Sequence, residues 1–214
     1  MTEAFVRSHT VVTHAAIVPE IPLYLATEVT PLWQATEDFL VRKNMAPPYW
    51  AFAWPGSQAL ARLVLDTPGL VVEKRVLDFA AGGGLAAIAC ALRGAAHVET
   101  AEVDPMAAVV TRMNAALSGV VVEAGARDVV GDANRWDVVM AGDVFYEAPM
   151  TNHILPWLIG LAEEGVEVLV ADPGRAYLPR DRLVPMGMHA VPTSLDLENQ
   201  KERIVTLYRL VGSR

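Results

Sequence analysis

Between Val76 and Ala89 the chain reads VLDFAAGGGLAAIA: an apolar run tipped by an acid, three consecutive glycines, and a second apolar run. No other segment restricts the fold so tightly. The glycines supply a turn that side-chain-bearing residues make poorly, and the residues after them are good helix formers. The predicted unit is a buried strand over Arg75–Phe79, the turn, and a helix over Leu85–Arg93. Such a turn brings bare backbone N–H groups and a helix N-terminus up against a ligand, as at the nucleotide-like cofactor sites of parallel α/β sheets.

The rest of the chain extends the same alternation. Strands are predicted over His97–Val103, Val120–Ala124, Trp136–Ala141 and Val166–Ala171, and helices over Pro105–Leu117 and Met150–Glu163. After Pro179 the pattern changes: Met188–Ser194 and Ile204–Leu210 read as two strands joined by LDLENQKER, an antiparallel hairpin at one sheet edge. The expected fold is α/β, Rossmann-like, with a seven-stranded, mostly parallel sheet, the edge hairpin and an N-terminal helical extension. Residues 75–214 form one compact domain in this reading. Residues 1–74 are the extension, with helices near Pro31–Arg42 and Ser57–Leu65 on either side of the aromatic segment PPYWAFAWPG (47–56).

Composition narrows the function classes. With 53% hydrophobic and 20% charged residues, a disordered chain is excluded. No apolar run approaches the ~18 residues of a membrane helix, so no membrane partner is expected. A net charge of −8 argues against a nucleic-acid-coating surface. The single Cys90 rules out an intramolecular disulfide and a cysteine-based metal cluster, and its expected place is the buried face of the helix after the turn. His9, His14, His97, His153 and His189 show no metal-ligand spacing; no metal is expected, and all five are read as structural or solvent-facing. The start, MTEAFVRSHT, lacks secretory and transit features, which makes the cytoplasm the expected location. No G-x-S-x-G elbow or GK[ST] phosphate loop occurs, which disfavours hydrolase and nucleoside-triphosphatase chemistry.

Two cofactors compete for the turn. Gly82-x-Gly84-x-x-Ala87 matches a relaxed dinucleotide fingerprint, and Glu102 lies twenty residues after Gly82, where an acid would meet a ribose. Against NAD, Asp78 and three further residues separate the apolar strand from the glycines. The spacing Asp78-x-Ala80-x-Gly82-x-Gly84 resembles the first motif of class I S-adenosylmethionine-dependent methyltransferases, with Ala80 where that motif has glycine. In this reading Asp78 attracts the cofactor's ammonium end, and the backbone of Phe79, Ala80, Gly82 and Gly84 approaches its polar oxygens. Glu102 accepts both ribose hydroxyls beside Val103. Asp128 meets the adenine amino group or is a solvated loop acid, and Asp104 either caps the Pro105 helix or touches ligand. Trp54 either covers the methyl-donor pocket or packs at a helix entry, and Gly142 borders that pocket.

The segment WDVVMAGDVFYE (136–147) sets Asp143, Phe145, Tyr146 and Glu147 just past the fourth strand, on the rim where open α/β sheets bind ligands. Phe145 is read as core. The Asp143-x-x-Tyr146 pair resembles the post-strand signature of a set of protein lysine methyltransferases. Taken with PPYWAFAWPG, AGDVFYE (141–147), ADPGRAYLP (171–179) and VPTSLDLE (191–198), the chain resembles the electron-transfer-flavoprotein β-subunit lysine methyltransferase family, including its bacterial members. The resemblance implies S-adenosylmethionine as cofactor and S-adenosylhomocysteine as product. It implies a protein partner presenting lysines, the flavoprotein β subunit with ribosomal protein L7/L12 as a second acceptor, and no nucleic acid. Asp143, Tyr146 and Glu147 are then the catalytic candidates. Trp50 and Arg175 are the substrate-binding ones, Arg175 meeting either a partner's acids or a local acid. The rival readings are a ribosomal-protein or small-molecule amine methyltransferase of a related branch, an NAD-dependent oxidoreductase, and a non-catalytic binding module.

Overall fold

A computed structural model describes residues 3–27 and 47–212. The helix expected near Pro31–Arg42 lies outside the described residues. In chain order the elements are α1 (Glu3–His9), β1 (Val11–Ala15), β2 (Val18–Leu25), α2 (Pro55–Asp66), β3 (Arg75–Phe79), α3 (Leu85–Leu92), β4 (His97–Glu102) and α4 (Pro105–Leu117). They continue with β5 (Glu123–Ala126), β6 (Val138–Gly142), α5 (Ala148–Glu163), β7 (Glu167–Asp172), β8 (Leu183–Pro192), the one-turn α6 (Leu195–Glu198) and β9 (Glu202–Leu210).

The main sheet has seven strands in the order β5-β4-β3-β6-β7-β9-β8. The pairs from β5 to β7 are parallel, and β9 runs antiparallel between β7 and β8. This is the architecture expected from the alternation. The inner strands are apolar on both faces because helices cover both. Val76, Val138, Met140, Leu169 and Ala171 pack toward α2 and α3. The alternating residues Leu77, Phe79, Val139, Ala141, Val168 and Val170 pack toward Ile154, Leu158 and Leu161 of α5. Cys90 is wholly buried in α3. Strand order reverses between β3 and β6, so the crevice outside their C-terminal ends is where a ligand site is expected. No helix among the described residues is long and apolar enough to cross a membrane.

Three elements depart from the pattern. The N-terminal extension is not simply helical: β1 and β2 form an antiparallel hairpin, and Ile21, Leu23 and Leu25 of β2 are buried against the α2–α3 layer. Pro19 and Pro22 interrupt the alternation that would have announced it. The strand expected at Val120–Ala124 sits later, at Glu123–Ala126, because Val120 closes the turn after α4 through its N–H to Ala115 and Val121 points into solvent. β8 begins at Leu183 rather than Met188. It is the outermost strand, with Val184, Met186 and Met188 exposed and a register irregularity between Pro185 and Gly187, so burial gives it no periodic signature.

Candidate functional site

The turn after β3 takes three left-handed residues: Ala80 (φ 53°), Gly82 (φ 54°) and Gly84 (φ 78°). For Ala80 this conformation costs about 1–2 kcal/mol that glycine would avoid. Gly84 serves packing. A Cβ there would lie 2.6 Å from Cγ2 of Thr111 on α4, and Gly84 begins α3 without facing the cavity described below. Asp78 does not reach that cavity either. It is buried beneath the turn, where its Oδ2 accepts the N–H of Ala87, in the first turn of α3, at 2.9 Å. Burial pushes this carboxyl up to about 7, against the pull of the Ala87 N–H. Its position is that of a brace for the turn.

Glu102 stands at the tip of β4. Its Oε1 accepts the Gly82 N–H at 2.7 Å and its Oε2 the Val103 N–H at 3.2 Å, while burial holds its pKa above the usual carboxylate range. Asp104 accepts the Met106 N–H at 2.8 Å and caps α4, the first of its two readings.

These groups open on a cavity of about 560 Å³, within the ~300–1,000 Å³ of small-molecule sites. One end is walled by Phe79, the Ala80–Gly83 backbone, Glu102 and Val103. Asp128 lines the same end. Its Oδ1 accepts the Val130 N–H at 2.9 Å and its Oδ2 lies 2.7 Å from Nε2 of His153. Burial acts upward on this acid, but the Val130 N–H and His153 outweigh it and lower its pKa. His153, read from the sequence as structural or solvent-facing, is exposed. It also lines the cavity one turn after Met150, beside Ile154, a helical spacing that was the available signal for that position.

The other end holds the reacting candidates. Asp143 follows β6 in a left-handed conformation (φ 60°). Its Oδ2 accepts the Gly56 N–H at 2.5 Å, and its Oδ1 accepts Nε and Nη2 of Arg175 at 3.1 and 2.6 Å. Burial pushes its carboxyl up to about 6, with Arg175 and the Gly56 N–H restraining the rise. Arg175 is not free for a partner's acids. It also donates to Glu198 at 3.1 and 2.6 Å, so the local-acid reading holds. Tyr146, Glu147, Trp54 and Gly142 line this end. Burial, then Tyr49 and Glu147, push the Tyr146 phenol up to about 12, so it stays neutral.

Trp50 is the clear misplacement. It is buried among Val6, Tyr24, Met106 and Val110 and does not line the cavity. Its neighbour Tyr49 does, with its ring 5.8 Å from Trp54 and 6.2 Å from Tyr146. In the single 3₁₀ turn Tyr49–Ala51, adjacent side chains leave on different sides.

Two glycines let α2 press against the end of β6. A Cβ on Gly56 would meet the Ala171 carbonyl oxygen and Asp143 Oδ2, each at 2.6 Å, and one on Gly142 would meet the Ser57 nitrogen at 2.9 Å. Gly56→Ala should therefore lower unfolding free energy by about 2–3 kcal/mol, read from urea melts, since backbone on both sides cannot yield. A wild-type midpoint would show that α2 stands off with room to spare.

A sequence-family model described as Ribosomal protein L11 methyltransferase (PrmA) matches residues 59–145. The chain is 34% identical over 203 residues to the electron transfer flavoprotein beta subunit lysine methyltransferase of Xenopus laevis, covering 92% of this chain and 81% of that protein. It is 34% identical over 197 residues to the protein of the same name from Danio rerio, covering 88% and 75%. Among solved structures, the N-methyltransferase NodS from Bradyrhizobium japonicum, in complex with S-adenosyl-L-homocysteine, superposes with a TM-score of 0.52 at 12% identity, covering 86% of this chain and 93% of that one.

Proposed function

The chain belongs to the electron transfer flavoprotein β-subunit lysine methyltransferase family, and from that membership we propose that it methylates lysine side chains of such a β subunit. It is an S-adenosylmethionine-dependent methyltransferase. The target is supported by the names of the relatives. The match at residues 59–145 spans β3 to β6, the half that lines the cofactor end, and so favours no acceptor over another.

The cavity fits the cofactor by its donor set. Glu102 offers two carboxylate oxygens beside the Gly82 N–H, suited to a ribose diol, and Asp128 supplies an acceptor for an exocyclic amine. Phe79, Met150 and Ile154 form an apolar wall for a base. When bound, S-adenosylmethionine supplies a methyl group on a sulfonium, ready for in-line displacement by an amine. Glu102→Ala should weaken S-adenosylhomocysteine binding about tenfold or more by calorimetry, the worth of a charge-assisted hydrogen bond. An unchanged affinity would remove Glu102 from the site.

The single observation that carries the reading is Asp143, buried at the far end of this cavity with its carboxylate fixed on the protein side. A lysine amine of pKa ~10.4 must lose its proton before it attacks, costing about 4–5 kcal/mol at neutral pH. The aromatic rim of Tyr49, Trp54 and Tyr146 excludes water and lowers that cost, and the ring faces attract the cation on its way in. Asp143 is far less basic than the amine, so its role is to accept an amine N–H and aim the lone pair. Glu147, exposed at the rim, adds negative charge for an arriving lysine. The test is transfer of labelled methyl to purified flavoprotein β subunit and to L7/L12, with mass-spectrometric mapping of the modified residue. Label on lysine of the β subunit is expected, and label on neither protein would refute the target. A cytoplasmic setting belongs to the same proposal, checked by cell fractionation.

A further inference from the structure

We propose that Glu198 is a positioning residue of the methyl-transfer site, acting through Arg175 to fix how Asp143 presents its carboxylate to the lysine; this rests on the reading of Asp143 as the group that meets the amine. Glu198 closes α6, in the VPTSLDLE segment that no role assigned so far has used. Far from Asp143 in sequence, it stands one guanidinium away in space, with its side chain only 2% exposed.

The geometry is a shared fork. Nη2 of Arg175 contacts Oδ1 of Asp143 and Oε1 of Glu198, both at 2.6 Å. Nε adds a second bond to Asp143 and Nη1 a second to Glu198. Arg203 approaches Glu198 Oε2 at 3.3 Å, so two acids and two guanidiniums balance. An ionised carboxylate has about four lone-pair sites. Among the described residues, the Gly56 N–H and two Arg175 N–H groups take three of those on Asp143, which leaves one for an amine. Glu198 sets the angle of the fork and draws on the same positive charge, so it governs both the direction of that last lone pair and the strength with which Arg175 holds Asp143 ionised.

Among the described residues, the other groups facing Asp143 are few. Asp172 ends β7 with its Oδ1 held by the Gly174 and Arg175 N–H groups, and Arg180 lies near it. Tyr146 and Glu147 follow on the same loop, and the first turn of α2 carries no acid.

The experiment is a ¹³C-carboxyl titration of Asp143 in the full chain without acceptor, its resonance assigned by loss in Asp143→Asn. Glu198→Gln leaves the Arg175 charge undivided, so the Asp143 midpoint should fall by about half a pH unit. Arg175→Gln should raise it by about one unit or more. A residue that merely anchors the hairpin would move both variants the same way, or neither. In Glu198→Gln kcat should drop on the order of tenfold with the acceptor KM within about twofold, because alignment is lost and not binding. A midpoint that stays or rises in Glu198→Gln overturns the proposal. Should that variant lack a native circular-dichroism spectrum, Arg175→Lys decides. Its single ammonium keeps the charge but cannot span both acids, so the midpoint should hold within about half a unit while kcat falls about tenfold, and wild-type kcat overturns the proposal. The midpoints are read without substrate, so an unmethylated acceptor refutes the target while the titration still decides Glu198.

Discussion

Asp143→Asn should cut methyl transfer by roughly 10²-fold or more, the scale of losing the alignment of a reacting group, while S-adenosylhomocysteine binds within about threefold of wild type. The substitution keeps the volume, so packing around the left-handed turn persists. It removes the negative charge that draws the lysine ammonium in. It also turns one acceptor into an NH₂ group between two fixed donors, the Gly56 N–H and the Arg175 guanidinium. Whichever way the amide flips, a buried donor faces a donor, and the lone pair reserved for the amine is lost or misaimed. Cofactor affinity is spared because Glu102 and Asp128 line the opposite end of the cavity. Labelled-methyl transfer at saturating acceptor, paired with calorimetry, separates the two effects. Full turnover in the variant would end the assignment of Asp143.

Asp78→Asn should make the protein more stable at pH 8 and leave it almost unchanged at pH 4. The carboxyl is pushed up from 3.8 in the open chain to about 7 in the fold, chiefly by burial. Between those values the folded state holds a proton that the unfolded state has released, so stability falls as pH climbs from about 4 to about 7 and is then level. Above pH 7 the buried charge costs about 4 kcal/mol. Asparagine accepts the same Ala87 N–H and never ionises, so it recovers most of that energy at pH 8. Urea melts at the two pH values measure the gap. A gap that does not widen with pH would show that the carboxylate is solvated in the fold. The variant also separates brace from ligand, since a purely bracing Asp78 predicts cofactor affinity close to wild type.

The sheet and its helices were readable in the chain because the relevant forces are local. Val138–Ala141 and Val168–Ala171 are continuous apolar runs and Val76–Phe79 is broken only by Asp78, a pattern that a doubly covered strand needs, and Pro105 sits at the first position of α4. Asp143 was found for the same reason, as an acid placed just past such a run, and Glu102 by its spacing of twenty residues from Gly82. Other features depend on tertiary choices that leave no periodic trace. The β1–β2 hairpin carries two prolines, and most of β8 faces solvent. Whether Tyr49 or Trp50 meets the cavity is decided by one 3₁₀ turn. Nothing in the order of residues selects Glu198, among many acids, as the second partner of Arg175. That Asp78 lies under the turn rather than on it was hidden too, since both placements need an acid at the end of β3.

The outer hairpin also bears on how the molecule behaves in a crowded solution. Among the described residues, β8 presents a long free edge with exposed Val184, Met186 and Met188, the combination that recruits further strands and seeds aggregation. Pro185 and Pro192 lack the N–H that a newcomer would require, and the slip of register between Pro185 and Gly187 breaks the spacing of the donors that remain. A neighbouring chain can therefore pair with only a few consecutive residues before the ladder fails. The prolines of this exposed strand are the groups that keep the sheet from growing beyond it.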